Sequence, residues 1–362
     1  MKLTLQMIPG MTLGTLLHLL QRNRLCVNVC CLHRLAYLIG WGAVNSFLRR
    51  LENLTYGDRI EKVRIQQPPL FIIGHWRSGT THLHNLLSLD QNLASPNSYQ
   101  AMFPWHFLSS ERFGRWIFNF LAPKKRPMDN MVFRADVPQE DELALAALSL
   151  ASPYLRLLFP ASEDNRSAGF DPLQLRNDAL QSWKSSFEYF VKKLSYLNNK
   201  RLVLKSPPHT GRIRILLDMF PEAQFVHIVR NPYEVYFSTR KLWDSTLLFS
   251  HLQKFDAAAA DESILTSYSE LFSLFERDRN KIPSGNLYEL KFEDLERHPQ
   301  ATLQQLYQAL SLTGFESFWT KAQGYLESIK AYRKNRYRMD EKGRQRVREC
   351  WQWTFDRYGY AA

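Results

Sequence analysis

Hydrophobic positions change their period along this chain, and the changes mark out its elements. Pro69-Leu70-Phe71-Ile72-Ile73-Gly74 is a continuous apolar run, too short for a helix and closed by glycine, which predicts a strand covered on both faces. After a short loop, Leu83, Leu86 and Leu87 return at helical spacing. The alternation recurs downstream, with a strand over Arg201-Leu202-Val203-Leu204-Lys205 and then a helix face of Ile213, Leu216, Leu217 and Phe220, which Pro221 ends. A third strand, Gln224 to Val229, runs into a helix opened by Asn231-Pro232-Tyr233-Glu234, with Asn as N-cap and Pro in the first helical position. A last strand, Asn286 to Phe292, precedes an all-helical C-terminal part. This order predicts a three-layer α/β fold on a parallel central sheet with right-handed crossovers, its ligands beyond the carboxyl ends of the strands.

Two stretches stand outside that rhythm. Residues 98–199 read as a helical insertion rich in aromatics (Phe103, Trp105, Phe107, Trp116, Phe118 and Phe120), expected to shape an acceptor pocket. Residues 1–67 read as an N-terminal helical segment ahead of a domain over 68–362. Its apolar stretches, Met11 to Leu20 and Leu35 to Leu48, are each shorter than the about 18 residues a bilayer span needs, and Arg22, Arg24, His33 and Arg34 lie between them. Gln6, Pro9 and His18 break the apolar core a signal peptide would need. The segment is therefore expected to be either a helical lid or a peripheral membrane contact, on a cytoplasmic protein.

Composition narrows the picture less than pattern does. With 45% apolar and 23% charged residues in 362, the chain can bury a large core, which excludes disordered and fibrous classes. Its net charge of +12 points to an anionic partner without choosing one, and no nucleic-acid-binding motif accompanies it. Four cysteines, Cys26, Cys30, Cys31 and Cys350, are too few and too crowded for a disulfide scaffold and do not have zinc-ligand spacing.

The chemistry starts at Gly74-His75-Trp76-Arg77-Ser78-Gly79-Thr80-Thr81, which follows a strand and opens a helix. Small residues there let backbone N–H groups and the positive helix end converge on an anion, and Ser78, Thr80 and Thr81 add hydroxyl donors. The two glycines have phosphate-loop spacing, but Thr80 stands where a nucleotide-hydrolysing loop needs Lys, and Arg77 is the local cation. A second anion site is expected at Arg230, after the third strand, with Ser238 two turns along the next helix. That strand ends in Arg rather than the Asp that would hold magnesium, so the anion is expected to be bound by side-chain charge without a metal.

Together these segments resemble the sulfotransferases that use 3′-phosphoadenosine 5′-phosphosulfate. Residues 68–90 are similar to the family's 5′-phosphosulfate loop in its Arg-Ser-Gly-Thr-Thr form, and residues 223–243 to its 3′-phosphate motif. Lys205-Ser206-Pro207 and Phe292-Glu293-Asp294-Leu295 are weaker echoes. The resemblance implies that Arg77, Ser78, Gly79, Thr80 and Thr81 hold the phosphosulfate and that Arg230 and Ser238 hold the 3′-phosphate. It further implies donor contacts from His82, where cytosolic members carry a stacking Trp, from Phe292, which replaces a Tyr, and from Lys334 in the basic run Arg333, Lys334, Arg336 and Arg338.

Sulfuryl transfer to a hydroxyl or amine needs cations over the leaving phosphate, here Arg77 and Lys205, and a base for the acceptor's proton. Golgi-type relatives supply a Glu after the loop, where this chain reads Asn97-Ser98-Tyr99-Gln100. Two replacements stand open. Glu140, on a helix expected to open at Pro138, would share an inward face with Leu143 and Ala147. His209 follows Lys205, with His75 and His106 as weaker candidates. The acceptor is a small molecule, lipid or carbohydrate, and the sequence is silent on oligomeric state. The competing classes are a phosphate-loop phosphotransferase or nucleotide hydrolase, and a non-catalytic anion- or membrane-binding protein.

Overall fold

The computed structural model describes residues 8–125, 131–160, 170–253, 257–330 and 340–361. Contacts divide the chain into two compact units, one of Met1–Gln67, Ser95–Leu202 and Ser245–Phe255, the other of Pro68–Ala94, Val203–Asp244 and Asp256–Ala362.

The second unit is built on strands β1 (Leu70–Ile73), β2 (Leu93–Ala94), β3 (Arg201–Lys205), β4 (Gln224–Val229) and β5 (Leu287–Lys291), in the sheet order β2-β3-β1-β4-β5. β1 runs parallel to β3 on one side and to β4 on the other, and β4 runs parallel to β5. All four residues of β1 are fully buried, as an apolar strand covered on both faces must be. Ile72 aligns with Lys205 and Ile73 with His227, so β1 ends one residue past β3 while β4 runs two residues past β1. Because the chain leaves β1 to either side, the sheet reverses its order there, and parallel sheets bind ligands beyond the strand ends at such a point.

Helix α3 (Thr80–Leu87) packs Leu83, Leu86 and Leu87 into a core with Ile72, Val203, Val226 and Leu306. A second core joins Val229, Tyr233 and Tyr236 to Tyr268 and Trp351, whose rings stack at 3.8 Å. The strands fall where the apolar runs predict them, with two departures. β2 is two residues long and leaves no periodic signature. β5 stops at Lys291, because Phe292 begins a short helix (Phe292–Arg297).

The first unit holds helices α1 (Leu13–Arg22), α2 (Leu32–Glu61), α4 (Ser98–Met102), α5 (Phe107–Leu121), α6 (Glu142–Leu148) and α7 (Asn177–Leu197). The N-terminal segment shares a core with the insertion, where Leu16, Leu19 and Leu38 meet Ala147, Leu155 and Phe159. Asn45 of α2 donates to the carbonyls of Pro9 and Met11 at 2.7 and 2.8 Å, tying the chain ahead of α1 to α2. Deeper, Lys193 of α7 and Glu52 of α2 form a buried ion pair. Lys193 also donates to the Pro104 carbonyl at 2.5 Å, and Glu52 accepts from the backbone N–H and hydroxyl of Ser109 at 2.9 Å each. Burial lowers the Lys193 ammonium to about 8 while the Glu52 carboxylate pulls the other way. Such a pair is tolerated inside only because the remaining donors and acceptors are met as well.

Candidate functional site

The loop between β1 and α3 adopts its shape because two glycines stand where nothing else fits. Gly74 lies at φ 139°, and a Cβ there would come within 2.4 Å of the Ile228 carbonyl. Gly79, at φ 99°, caps α3, and a Cβ on it would lie 2.2 Å from the Phe292 ring. Arg77, a non-glycine residue, is held at φ 68° in the left-handed region. Thr210 supports the turn by accepting from the Gly74 N–H at 2.8 Å, and the Ser78 hydroxyl donates to the His75 carbonyl at 2.7 Å.

The side chains of the two expected anion sites meet. Arg77 Nε donates to Ser238 Oγ at 2.8 Å, across 161 residues of sequence, and Arg230 Nη1 donates to the Arg77 carbonyl at 3.2 Å. Arg230 lies over the Phe292 ring, 4.8 Å from its centroid, and pairs with Glu234 one turn into α8 (Pro232–Ser250) at 3.2 Å. Lys205, buried at the end of β3, reaches Thr81 Oγ1 at 3.4 Å. Three cations are thus set around the N-terminus of α3, an arrangement suited to an anion carrying more than one charge. The cap at α8 is the one the sequence predicts: Asn231 Oδ1 accepts from the Tyr233 N–H at 3.0 Å, and Glu293 fixes the Asn231 N–H at 3.0 Å.

His82 lies between two rings, edge-on to Phe292 at 6.3 Å and stacked on Tyr325 at 6.2 Å. Tyr325 and Thr210 are absent from the sequence reading, since neither sits in a motif and both reach the loop from distant elements. His75, within the loop, is fully buried, its imidazole pushed down to about 4 by burial, partly offset by its hydrogen bond to the Trp76 carbonyl.

Arg77, Ser78, Gly79, Thr80, Thr81, His82, Lys205, Arg230, Ser238 and Phe292 all belong to this unit and gather at the ends of β1, β3 and β4. His209 lies in the same unit, in a buried 3₁₀ turn (Pro207–Gly211), edge-on to Phe71 and with Nδ1 3.5 Å from Arg212 Nη1. The helix that follows, over Ile213–Met219, has Arg212 at its N-cap. Glu140 belongs to the other unit and lies before its helix rather than on it: α6 starts at Glu142, because residues 138–140 form an extended lead-in whose Pro138 bridges Asn97. Its carboxylate nonetheless faces inward and accepts a short hydrogen bond from the Tyr154 hydroxyl. Lys334, with Arg333, Arg336 and Arg338, falls outside the described residues. Among the described residues no group of three His, Cys, Asp or Glu is placed to hold a metal ion, and no helix is long and apolar enough to cross a membrane.

A family model described as the sulfotransferase family matches residues 68–317. The omega-hydroxy-beta-dihydromenaquinone-9 sulfotransferase Stf3 of Mycobacterium tuberculosis is 36% identical over 351 residues, which is 97% of this chain and 90% of that one. Among solved structures, sulfotransferase STF1 of Mycobacterium tuberculosis superposes with a TM-score of 0.69 at 19% identity, over 93% of this chain and 90% of that one. Sulfotransferase STF9 of Mycobacterium avium superposes with a TM-score of 0.63 at 19% identity, over 86% and 81%. At that identity the two structures bear on the fold alone.

Proposed function

We propose residue roles and an acceptor class from one premise: the chain belongs to the sulfotransferase family and is an enzyme that moves a sulfuryl group from 3′-phosphoadenosine 5′-phosphosulfate to an acceptor. The phosphotransferase and non-catalytic readings give way to that membership. In the proposed reaction an acceptor oxygen attacks sulfur in line with the bond to the 5′-phosphate. That bond breaks, adenosine 3′,5′-bisphosphate leaves, and the acceptor's proton passes to a base.

Arg77 and Lys205 stabilise charge developing on the leaving phosphate, while Ser78, Gly79, Thr80 and Thr81 present hydroxyl and backbone donors to the phosphosulfate. Arg230 and Ser238 hold the 3′-phosphate, and Phe292 with His82 forms the apolar wall beside it. Lys334 adds a further cation. The observation that carries this assignment is the direct contact between the two loops, Arg77 to Ser238 and Arg230 to the Arg77 carbonyl. A ligand with an anion at each end of a nucleoside fits a site whose two anion-binding halves are fastened together. The charge is supplied by side chains, and no metal is assigned a role.

The base is Glu140 or His209. Replacing the true base in Glu140→Gln or His209→Asn lowers kcat about a hundredfold or more while leaving the bisphosphate-induced melting shift intact. Equal loss of both readouts would mark a structural role instead.

The acceptor is an apolar lipid that ends in a hydroxyl. This rests on the 36%-identical relative, whose name specifies an omega-hydroxy menaquinone derivative. We place the enzyme in the cytoplasm, with peripheral membrane contact through the N-terminal helices. Supporting this, α2 leaves Ile39, Phe47 and Leu54 in solvent. Oligomeric state plays no part in these assignments.

The test is thermal stabilisation by adenosine 3′,5′-bisphosphate. A ligand at about 100 times its Kd adds about 2.7 kcal/mol to the folded state, so the wild-type melting temperature rises clearly. The Arg230→Ala protein loses most of that shift. Equal stabilisation of both proteins, or a larger shift from ATP with magnesium, overturns the donor site.

A further inference from the structure

The exposed face of α5 has no explanation in the fold of its unit. This helix already buries one side: Gly114 sits against Tyr99, Phe118 against Phe133 and Tyr99, and Glu111 accepts from Asn97 and Gln100. On the opposite side, Phe113, Trp116 and Phe120 are 73%, 74% and 78% exposed, with Ile117 and Leu121 beside them. The spacing places all five on one continuous helix arc. Trp116 and Phe120 stack on each other in the open, centroids 6.1 Å apart and nearly parallel. A soluble helix rarely shows three adjacent aromatic rings to water, and a patch of this kind marks a binding surface.

Charge selects the occupant. Between Phe107 and Lys125 lie four cations, Arg112, Arg115, Lys124 and Lys125, against one carboxylate, Glu111. That carboxylate is turned to Asn97 and Gln100 and lies 3.9 Å from Arg115. Lys124 and Lys125 are exposed in the loop just beyond the helix's C-terminal end and Arg112 near its start, so the aromatic arc is bracketed by positive charge. A second copy of the chain docking by two-fold symmetry would bring these cations against themselves. An anionic bilayer offers apolar depth and negative headgroups together, and Trp in particular settles at that boundary. α2, which joins α5 through the Glu52 to Ser109 hydrogen bonds, adds Phe47, Leu51 and Leu54 to the apolar surface of the unit.

We infer that α5 is an interfacial anchor, inserting Phe113, Trp116 and Phe120 into the headgroup boundary of an anionic membrane with Arg112, Lys124 and Lys125 on its phosphates. The inference extends the membrane contact proposed above from the N-terminal helices to the insertion. It is independent of the donor site and of the acceptor's identity.

The experiment is co-sedimentation of the full chain with vesicles of phosphatidylcholine, alone or mixed with phosphatidylglycerol. Wild type binds the mixed vesicles in preference, and binding weakens as salt rises. Trp116→Gln/Phe120→Gln lowers partitioning about tenfold or more, whereas Trp116→Phe keeps most of it. Lys124→Gln/Lys125→Gln removes most of the preference for the anionic lipid. Melting shifts with adenosine 3′,5′-bisphosphate, expected unchanged in every variant, show that the protein is folded and keep this test separate from that of the donor site. Wild type left in the supernatant, a Trp116/Phe120 variant that binds like wild type, or equal binding with and without phosphatidylglycerol overturns the inference. So does a dimer that the same double variant dissociates while vesicle binding stays unchanged.

Discussion

At φ 68°, the Arg77 backbone occupies a region that costs a residue with a side chain about 1 kcal/mol or more, and its hydrogen bonds to Ser238 and from Arg230 help hold it there. Arg77→Gly relieves the backbone and removes the cation. Its melting temperature is expected to match or exceed wild type while the shift with adenosine 3′,5′-bisphosphate disappears; a large loss of stability would show that the arginine serves the fold instead. Arg77→Lys keeps the charge and loses the fork, so kcat/KM falls about tenfold or more. Gly79→Ala meets both a left-handed φ and the Phe292 ring, and its melting temperature drops even without ligand. Of these constraints the sequence shows the octet and its cation plainly, because strand, glycine spacing and helix are contiguous. The Phe292 ring against Gly79 and the Tyr325 ring against His82 depend on residues hundreds of positions away, which no local pattern records.

Elements were legible in proportion to how fully they are buried. β1, β3 and β4 read as apolar runs because helices or neighbouring strands cover them, and their parallel register brings their carboxyl ends to one side of the sheet. β2 was not legible, since two residues carry no period, and β5 is one residue shorter at each end than Asn286 to Phe292, at its far end because Phe292 is as apolar in a helix as in a strand. α2 runs thirteen residues beyond Leu48, where the apolar stretch ends, through Glu61 on a largely polar sequence that hydrophobic spacing does not flag. Capping chemistry was more dependable: Asn231-Pro232 marks the start of α8, and Asn231 makes the predicted bond. Asn231→Ala is therefore expected to cost about 1 kcal/mol in denaturant unfolding. It should also weaken bisphosphate binding, since Arg230 is the residue before it. A variant with unchanged unfolding would show that Glu293, which accepts from the Asn231 N–H, holds the turn by itself.

For the molecule as a whole, acid is the expected weak point, and each unit has its own cause. His75 in one unit and His106 in the other are held at about 4, both chiefly by burial, with the Lys193 charge adding to the effect on His106. Both are neutral when folded and take up protons on unfolding below the ordinary imidazole value of about 6.5. Their contribution is complete above that pH and is lost as pH falls towards about 4, by about 3 kcal/mol for each histidine. Denaturant melts across that range test this, and His75→Asn should flatten the dependence by one histidine's share. The buried pair of Lys193 and Glu52 carries a different consequence, one for the history of the chain. Glu52 changed alone strands the Lys193 charge beside Phe107, and Lys193 changed alone strands the buried Glu52 carboxylate, whereas both changed together to apolar residues leave a core that still closes. Positions 52 and 193 lie on helices far apart in sequence yet are expected to vary as one character among related chains, both charged or both apolar and seldom mixed.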